Sequence, residues 1–265
     1  MSENKKKISN QNLIPSEKLM DDQYIGHTKK DLFVEKGDEL FKLCVEHCKL
    51  TPKSKILDIG CGLGRLARPF TKYLSPDGEY WGTDVAKDSI KWCKEQYSKN
   101  YKNFNFLWHD AYNKSYNPKG KEDSLIFRFP FKDSSLDCVF LFSVFTHMHI
   151  KDVENYMLEV GRILKPGKKC IITWYLLNED SLKSIKDGNC RNDIIEEFKY
   201  EIPGGLTTRK EEPEYCIAYK EDLVKNIYDR AGLIIEEPIR YGAWTGRKDG
   251  FRFQEFIFAK RKNNV

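Results

Sequence analysis

Apolar residues along this chain fall into two alternating patterns. Short unbroken runs read as strands, and stretches with apolar positions three or four apart read as helices. Gly37 to Leu50 has Leu40, Leu43, Cys44 and His47 on one helical side. Ile56-Leu57 and Ile59 form a short run of the kind a sheet buries on both faces. Leu63, Leu66, Ala67 and Phe70 then return to helical spacing. The alternation continues with a strand over Glu79 to Thr83 and a helix facing inward at Ile90, Cys93 and Tyr97. Further strands are predicted at Phe104 to Trp108, Cys138 to Phe142 and Cys170 to Leu176. Val153, Tyr156, Met157, Val160 and Leu164 make an amphipathic helix that Lys165-Pro166-Gly167 should stop. A helix over Lys220 to Ala231 and strands over Leu233 to Arg240 and Phe251 to Ala259 complete the set. Two stretches break the alternation. Asn113, Asn117, Pro118 and Gly120 interrupt an expected crossover helix, leaving a loop. Asn178 to Cys216 is polar and irregular and reads as an insertion.

One stretch carries chemistry. Asp58-Ile59-Gly60-Cys61-Gly62-Leu63-Gly64-Arg65 joins a buried strand to a helix through three glycines at alternate positions. A tight turn that brings backbone close to a ligand needs residues without a Cβ. The helix after it should offer N–H groups to that ligand. The pattern is D-x-G-x-G-x-G, whereas a dinucleotide site reads G-x-G-x-x-G. An acidic residue ahead of the glycines suits a cationic ligand better than a pyrophosphate. Asp84 ends the next strand, where a carboxylate can accept hydrogen bonds from both hydroxyls of a ribose.

Composition narrows the partners. The formal charge of +5 comes from 45 basic and 40 acidic residues, too small an excess to argue for nucleic acid. No apolar run is long enough to span a bilayer and no signal peptide is visible, so a cytoplasmic protein is expected. Eight cysteines are present and none forms C-x-x-C. They read as reduced thiols, and no metal is expected.

The glycine motif, Asp84, Asp110, the end of the fourth strand and Leu164-Lys165-Pro166-Gly167 stand in the order of the class I, Rossmann-like S-adenosylmethionine (SAM)-dependent methyltransferases, which the chain resembles. Tyr24-Ile25-Gly26, Tyr112-Asn113-Lys114, Phe142 to Met148 and Gly242 to Arg247 are similar to a bacterial single-domain group close to the type 11 and type 25 methyltransferase domains. The resemblance implies an α/β fold: a doubly wound, mostly parallel seven-stranded sheet with helices on both faces and an antiparallel last strand. It implies SAM as donor and S-adenosylhomocysteine (SAH) as product. Donor contacts are expected at Asp58, Gly60, Cys61, Gly62, Gly64, Arg65, Asp84, Val85, Asp110, Ala111, Phe142 and Ser143. Asp110 would accept from the adenine amino group. The organisation expected is a disordered tail over 1–20, an N-terminal lid or arm over 21–50, and the methyltransferase domain over 51–265. An insertion at about 179–216 would cap the acceptor side.

The resemblance names no acceptor. The N/D-P-P-Y/F tetrapeptide of enzymes that methylate planar nitrogens is absent, which argues against adenine or glutamine-amide targets. The fourth strand instead ends in Ser143, Thr146 and His147. His147 is the candidate general base, because imidazole accepts a proton near neutral pH. Tyr24, Thr146, Trp244 and Arg247 are candidate acceptor contacts. A small-molecule methyltransferase acting on a hydroxyl or amine is the reading carried forward. Its rivals are an RNA methyltransferase, a non-catalytic SAM-binding module, and an aminopropyl transferase, which would want acidic residues that the fourth strand's end does not supply.

Overall fold

The computed structural model describes residues 13–22, 29–191 and 195–263. Its strands form a seven-stranded sheet in the order β10-β11-β5-β4-β1-β2-β3 and a four-stranded sheet in the order β6-β9-β8-β7. The chain divides into two compact units, one ending at His109 and the other beginning at Asp110.

The first unit holds α1 (Glu17–Asp22), α2 (Lys30–Cys48), β1 (Lys55–Ile59), α3 (Ala67–Tyr73), β2 (Glu79–Asp84), α4 (Lys87–Cys93) and β3 (Phe104–Trp108). β1, β2 and β3 pair in parallel. Their core is strongly aromatic, with Tyr80 stacked on Phe104 at 5.2 Å and Tyr97 against Phe106 at 5.5 Å. Ile90, Cys93 and Tyr97 are all buried, as their spacing predicts. The expectation of a free polar tail fails from residue 13 onward. Leu13 and Met20 are fully buried, and Met20 packs with Phe33 and Leu63. The helix predicted from Gly37 begins at Lys30 instead, and Arg68 donates to its Val34 carbonyl and to Asp38.

The second unit holds β4 (Leu136–Leu141), α5 (Ile150–Ile163), β5 (Leu164–Trp174), β6 (Leu176–Leu177), α6 (Glu179–Lys186), β7 (Tyr200–Ile202), β8 (Gly205–Thr207), β9 (Ile217–Lys220), α7 (Glu221–Arg230), β10 (Leu233–Ile235) and β11 (Glu255–Arg261). β4 and β5 are parallel, and β11 is antiparallel to both β5 and β10. Three boundaries differ from the pattern reading. Lys165-Pro166-Gly167 ends α5 but belongs to β5. β10 stops at Ile235, ahead of Pro238, which lacks the N–H that a ladder needs. Residues 251–253 bond back to Tyr241, Ala243 and Trp244, so β11 starts only at Glu255.

The insertion is more ordered than its composition suggests. Asn178 caps α6 in a reciprocal box with Ser181. Pro203-Gly204 makes a two-residue turn between β7 and β8, with Gly204 at φ +85°. This second sheet has a small core of its own in Tyr175, Leu177, Phe198, Cys216, Ala218 and Trp244. No helix forms over 110–135. Asparagine side chains satisfy the backbone there: Asn113 accepts from Ser115 and Tyr116 N–H, and Asn155 donates to the carbonyls of Ser124 and Phe127.

Candidate active site

In the first unit β1 leads straight into the glycine corner. Gly60, Gly62 and Gly64 have φ of +74°, +51° and +77°, a region costly to any residue with a Cβ. The corner's N–H groups are largely spent internally. Gly60 and Cys61 donate to the Thr83 carbonyl, Gly64 donates to Cys61, and Gly62 donates to the Asp84 carboxylate at 2.7 Å. The corner offers close backbone approach and two carboxylates, which suits a cationic, ribose-bearing ligand and not a pyrophosphate.

Asp84 sits at the end of β2, its other oxygen accepting from the N–H of Ala86 at 2.8 Å. Burial raises its pKa, and the N–H groups of Ala86, Gly62 and Val85 oppose that rise. Val85 is pinned by the Trp108 indole, which donates to its carbonyl at 2.9 Å. Asp58 lies beneath the corner, 3% exposed. Tyr80, opposite Ile56 in the register, reaches its carboxylate with the phenol hydroxyl. Burial pushes Asp58 up to about 7, against the Tyr80 hydrogen bond and the nearby Arg65. Cys61 is buried, and its thiol is pushed well up by burial and by Cys93 beside it.

In the second unit Asp110 accepts from the Asn117 amide at 3.0 Å, and Ala111 is buried beside it. Phe142 lies just past β4 and stacks on Phe140 at 5.9 Å. Ser143 follows in a left-handed conformation, φ +58°, which is rare outside glycine. It is held there by two bonds. Its N–H donates to Thr173 Oγ1 at 2.7 Å and its hydroxyl to Gln254 Oε1 at 2.8 Å.

Beyond Ser143 a short 3₁₀ turn carries Phe145 to His147. Thr146 is 1% exposed, and among the described residues its hydroxyl has no hydrogen-bond partner. His147 Nδ1 lies 3.1 Å from the Glu214 carbonyl, and its ring meets Tyr116 edge-on at 5.7 Å. Burial lowers its pKa, and the carbonyls of Glu214 and Tyr215 pull it partly back. The second sheet thus reaches the end of β4 through its 213–215 turn. It also brings acid there. Glu214 and Asp152 both interact with His149, and burial raises the pKa of each. Asp152 follows this strand end on α5, but Glu214 lies some seventy residues away along the chain, beyond any local reading of the sequence.

Two predicted acceptor contacts are already engaged within the protein. Trp244 is fully buried, donating its indole N–H to Glu255 at 2.6 Å and packing against Tyr175 and Phe198, so it is core and not an open pocket wall. Arg247 pairs with Asp180 at 3.2 Å and lies over Tyr241. Tyr24 falls outside the described residues. Pattern reasoning missed Glu255, which is 2% exposed. Burial pushes it up to about 7 against bonds from the Trp244 indole and the N–H groups of Leu176 and Gly242. A lone glutamate opening an apolar strand was the available signal. Among the described residues, no group of three or more histidine, cysteine or acidic side chains gathers as a metal site, and all eight cysteines are free. Among the same residues, no helix is long and apolar enough to cross a membrane.

Comparison with known proteins agrees with this geometry. A family model described as a methyltransferase domain matches residues 57–172. The ubiquinone/menaquinone biosynthesis C-methyltransferase of Cupriavidus metallidurans is 28% identical over 129 residues, 48% of this chain and 46% of that protein. The chain therefore spans about half the length of the curated relatives it matches. A Pyrococcus horikoshii protein superposes with a TM-score of 0.57 at 17% identity, covering 86% of this chain and 90% of that one. A SAM-dependent methyltransferase from Aquifex aeolicus gives 0.53 at 17% identity, covering 91% and 96%. Residues 57–172 thus match a methyltransferase domain, and the seven-stranded sheet has the fold of these solved structures.

Proposed function

We propose that the chain is a SAM-dependent methyltransferase that transfers a methyl group to a hydroxyl or amine of a small, sugar-like metabolite. The observation carrying the reading is the Gly62 N–H to Asp84 bond, which ties the glycine corner to an acidic strand end within one unit. Asp84 would hold the ribose hydroxyls, and Gly60, Gly62, Gly64 and Val85 would frame the nucleoside. Asp58, screened by Tyr80 and Arg65, would answer the cationic amino acid end. Asp110 and Ala111 would meet the adenine, and Phe142 and Ser143 the sulfonium side. The bound donor supplies a methyl group already activated by its sulfonium sulfur, so the protein's share is orientation and exclusion of water.

Thr146 and the acidic surroundings of His149 support a polar acceptor at the end of β4. His147 can act as a base only in competition with its bond to the Glu214 carbonyl. An amine, or an oxygen ionised beforehand, needs no strong base. The insertion over 179–216 would cap the acceptor, while residues 21–50 would form a lid or arm. A second reading, methylation of carbon, is favoured by the ubiquinone/menaquinone biosynthesis C-methyltransferases among the relatives. Incubating the protein with methyl-labelled SAM and fractionated metabolite extracts tests both. Label on oxygen or nitrogen supports the first, label on carbon the second, and failure to bind SAM or SAH refutes the donor assignment.

A further inference from the structure

Residues 13–22 and 29–48 lie outside the stretch that matches the methyltransferase family model, yet they engage three consecutive residues of the glycine corner, Gly64 among them through Tyr97. Leu63 is buried against Met20 and Phe33. Arg65 lies so close to α2 that a Cβ on Gly37 would come within 2.5 Å of its carbonyl oxygen. Gly64, between them, is reached through Tyr97. The Tyr97 hydroxyl proton is shared by the carbonyls of Gly64 at 3.0 Å and Leu13 at 3.2 Å. Its ring fills the space under the corner: a Cβ on Gly64 would sit 2.7 Å from Tyr97 Cε2.

The backbone that delivers Tyr97 is itself unusual. α4 gives way at Lys94 to a π-helical turn running to Ser98, closed by Lys99 N–H donating to the Lys94 carbonyl. Such turns are rare, and they recur at functional sites. Here the turn seats a fully buried tyrosine whose one proton bridges the corner and the N-terminal segment.

We propose that Tyr97 is a positioning residue for the donor site, acting through the Gly64 backbone and coupling donor binding to docking of the N-terminal segment. The proposal rests on the glycine corner being the SAM site. If the donor requires the corner in this shape, whatever holds Gly64 contributes to affinity. Because Leu13 shares the same hydroxyl, the coupling must run both ways: a bound donor should tighten the segment as the segment tightens the donor.

The test is SAH titration calorimetry on the full chain, paired with hydrogen exchange of residues 13–22. Tyr97→Phe keeps the ring and removes the shared proton. Its SAH dissociation constant should rise about 5- to 30-fold, the loss of one partly compensated hydrogen bond. In the wild type SAH should slow exchange over 13–22, and in Tyr97→Phe that slowing should disappear. A tyrosine with only a packing role would leave both readouts unchanged. Gly37→Ala probes the neighbouring contact and serves if Tyr97→Phe does not fold. It should weaken SAH by crowding the Arg65 carbonyl. Wild-type affinity and wild-type protection in a folded variant overturn the proposal. If SAH binds the wild type and Asp84→Ala abolishes it while Tyr97→Phe does not weaken it, the coupling is wrong and the donor site stands. If SAH does not bind the wild type, the donor site itself is wrong.

Discussion

Replacing Asp84 tests the proposed donor site most directly, because this one carboxylate would serve both the fold and the ligand. In the folded protein it already accepts from Gly62 N–H at 2.7 Å and from Ala86 N–H at 2.8 Å. In the donor complex it would also hold two ribose hydroxyls. Hydrogen bonds to a charged group contribute about 1.5–3 kcal/mol each, so the ribose pair sets an upper bound of about 3–6 kcal/mol. Water entering the gap returns part of this, leaving about 2–4 kcal/mol, or roughly 30- to 1,000-fold in SAH affinity at 1.4 kcal/mol per tenfold. Stability should fall as well, because the Gly62 and Ala86 N–H groups lose their acceptor. At about 2 kcal/mol in total that lowers the melting temperature by roughly 4–8 °C for a chain of this size. Asp84→Ala should therefore be measured by calorimetry well below its transition, with thermal melts recorded with and without SAH. A folded Asp84→Ala protein that binds SAH like the wild type would refute the reasoning. An unchanged melting temperature would show that the two N–H bonds carry no weight.

Asp58 and Glu255 both titrate near 7 in the folded protein, against ordinary values of 3.8 and 4.5. Between those limits the folded state holds protons that the unfolded state has released, so stability should fall as pH rises from about 4 to 7, by up to about 1.4 kcal/mol per pH unit for each group. Urea midpoints that instead rise across this range would contradict the burial argument, and Asp58→Asn should flatten the slope. Ser143→Gly removes the left-handed strain, worth about 1–2 kcal/mol, and loses the bond to Gln254. Its stability should stay near wild type while SAH binding weakens, whereas equal affinity would show that the strained turn serves the fold alone. Once an acceptor is known, His147→Ala can be compared with wild type across pH. An unchanged kcat and alkaline-side midpoint would leave His147 as the tie to the 213–215 turn that its contact with Glu214 describes.

What the amino-acid order determined by itself is local and periodic. The strands of the seven-stranded sheet, the glycine corner and the acid at the end of β2 are each written in adjacent residues, because a strand, a helix and a tight turn depend on neighbours a few positions apart. Ile90, Cys93 and Tyr97 could be read as one inward face for the same reason. Only the tertiary structure decided what those residues do. The Asp84 carboxylate is bound by Gly62, 22 positions away. Tyr97 bridges Gly64 and Leu13 across 33 and 84 positions. The polar insertion became a second sheet because its few apolar residues found Tyr175 and Trp244 to pack against. Trp244 then went to the core, where its indole N–H meets Glu255. Pairings at such separations leave no period in the chain, since each is selected by the burial and hydrogen bonding of partners that meet only after folding.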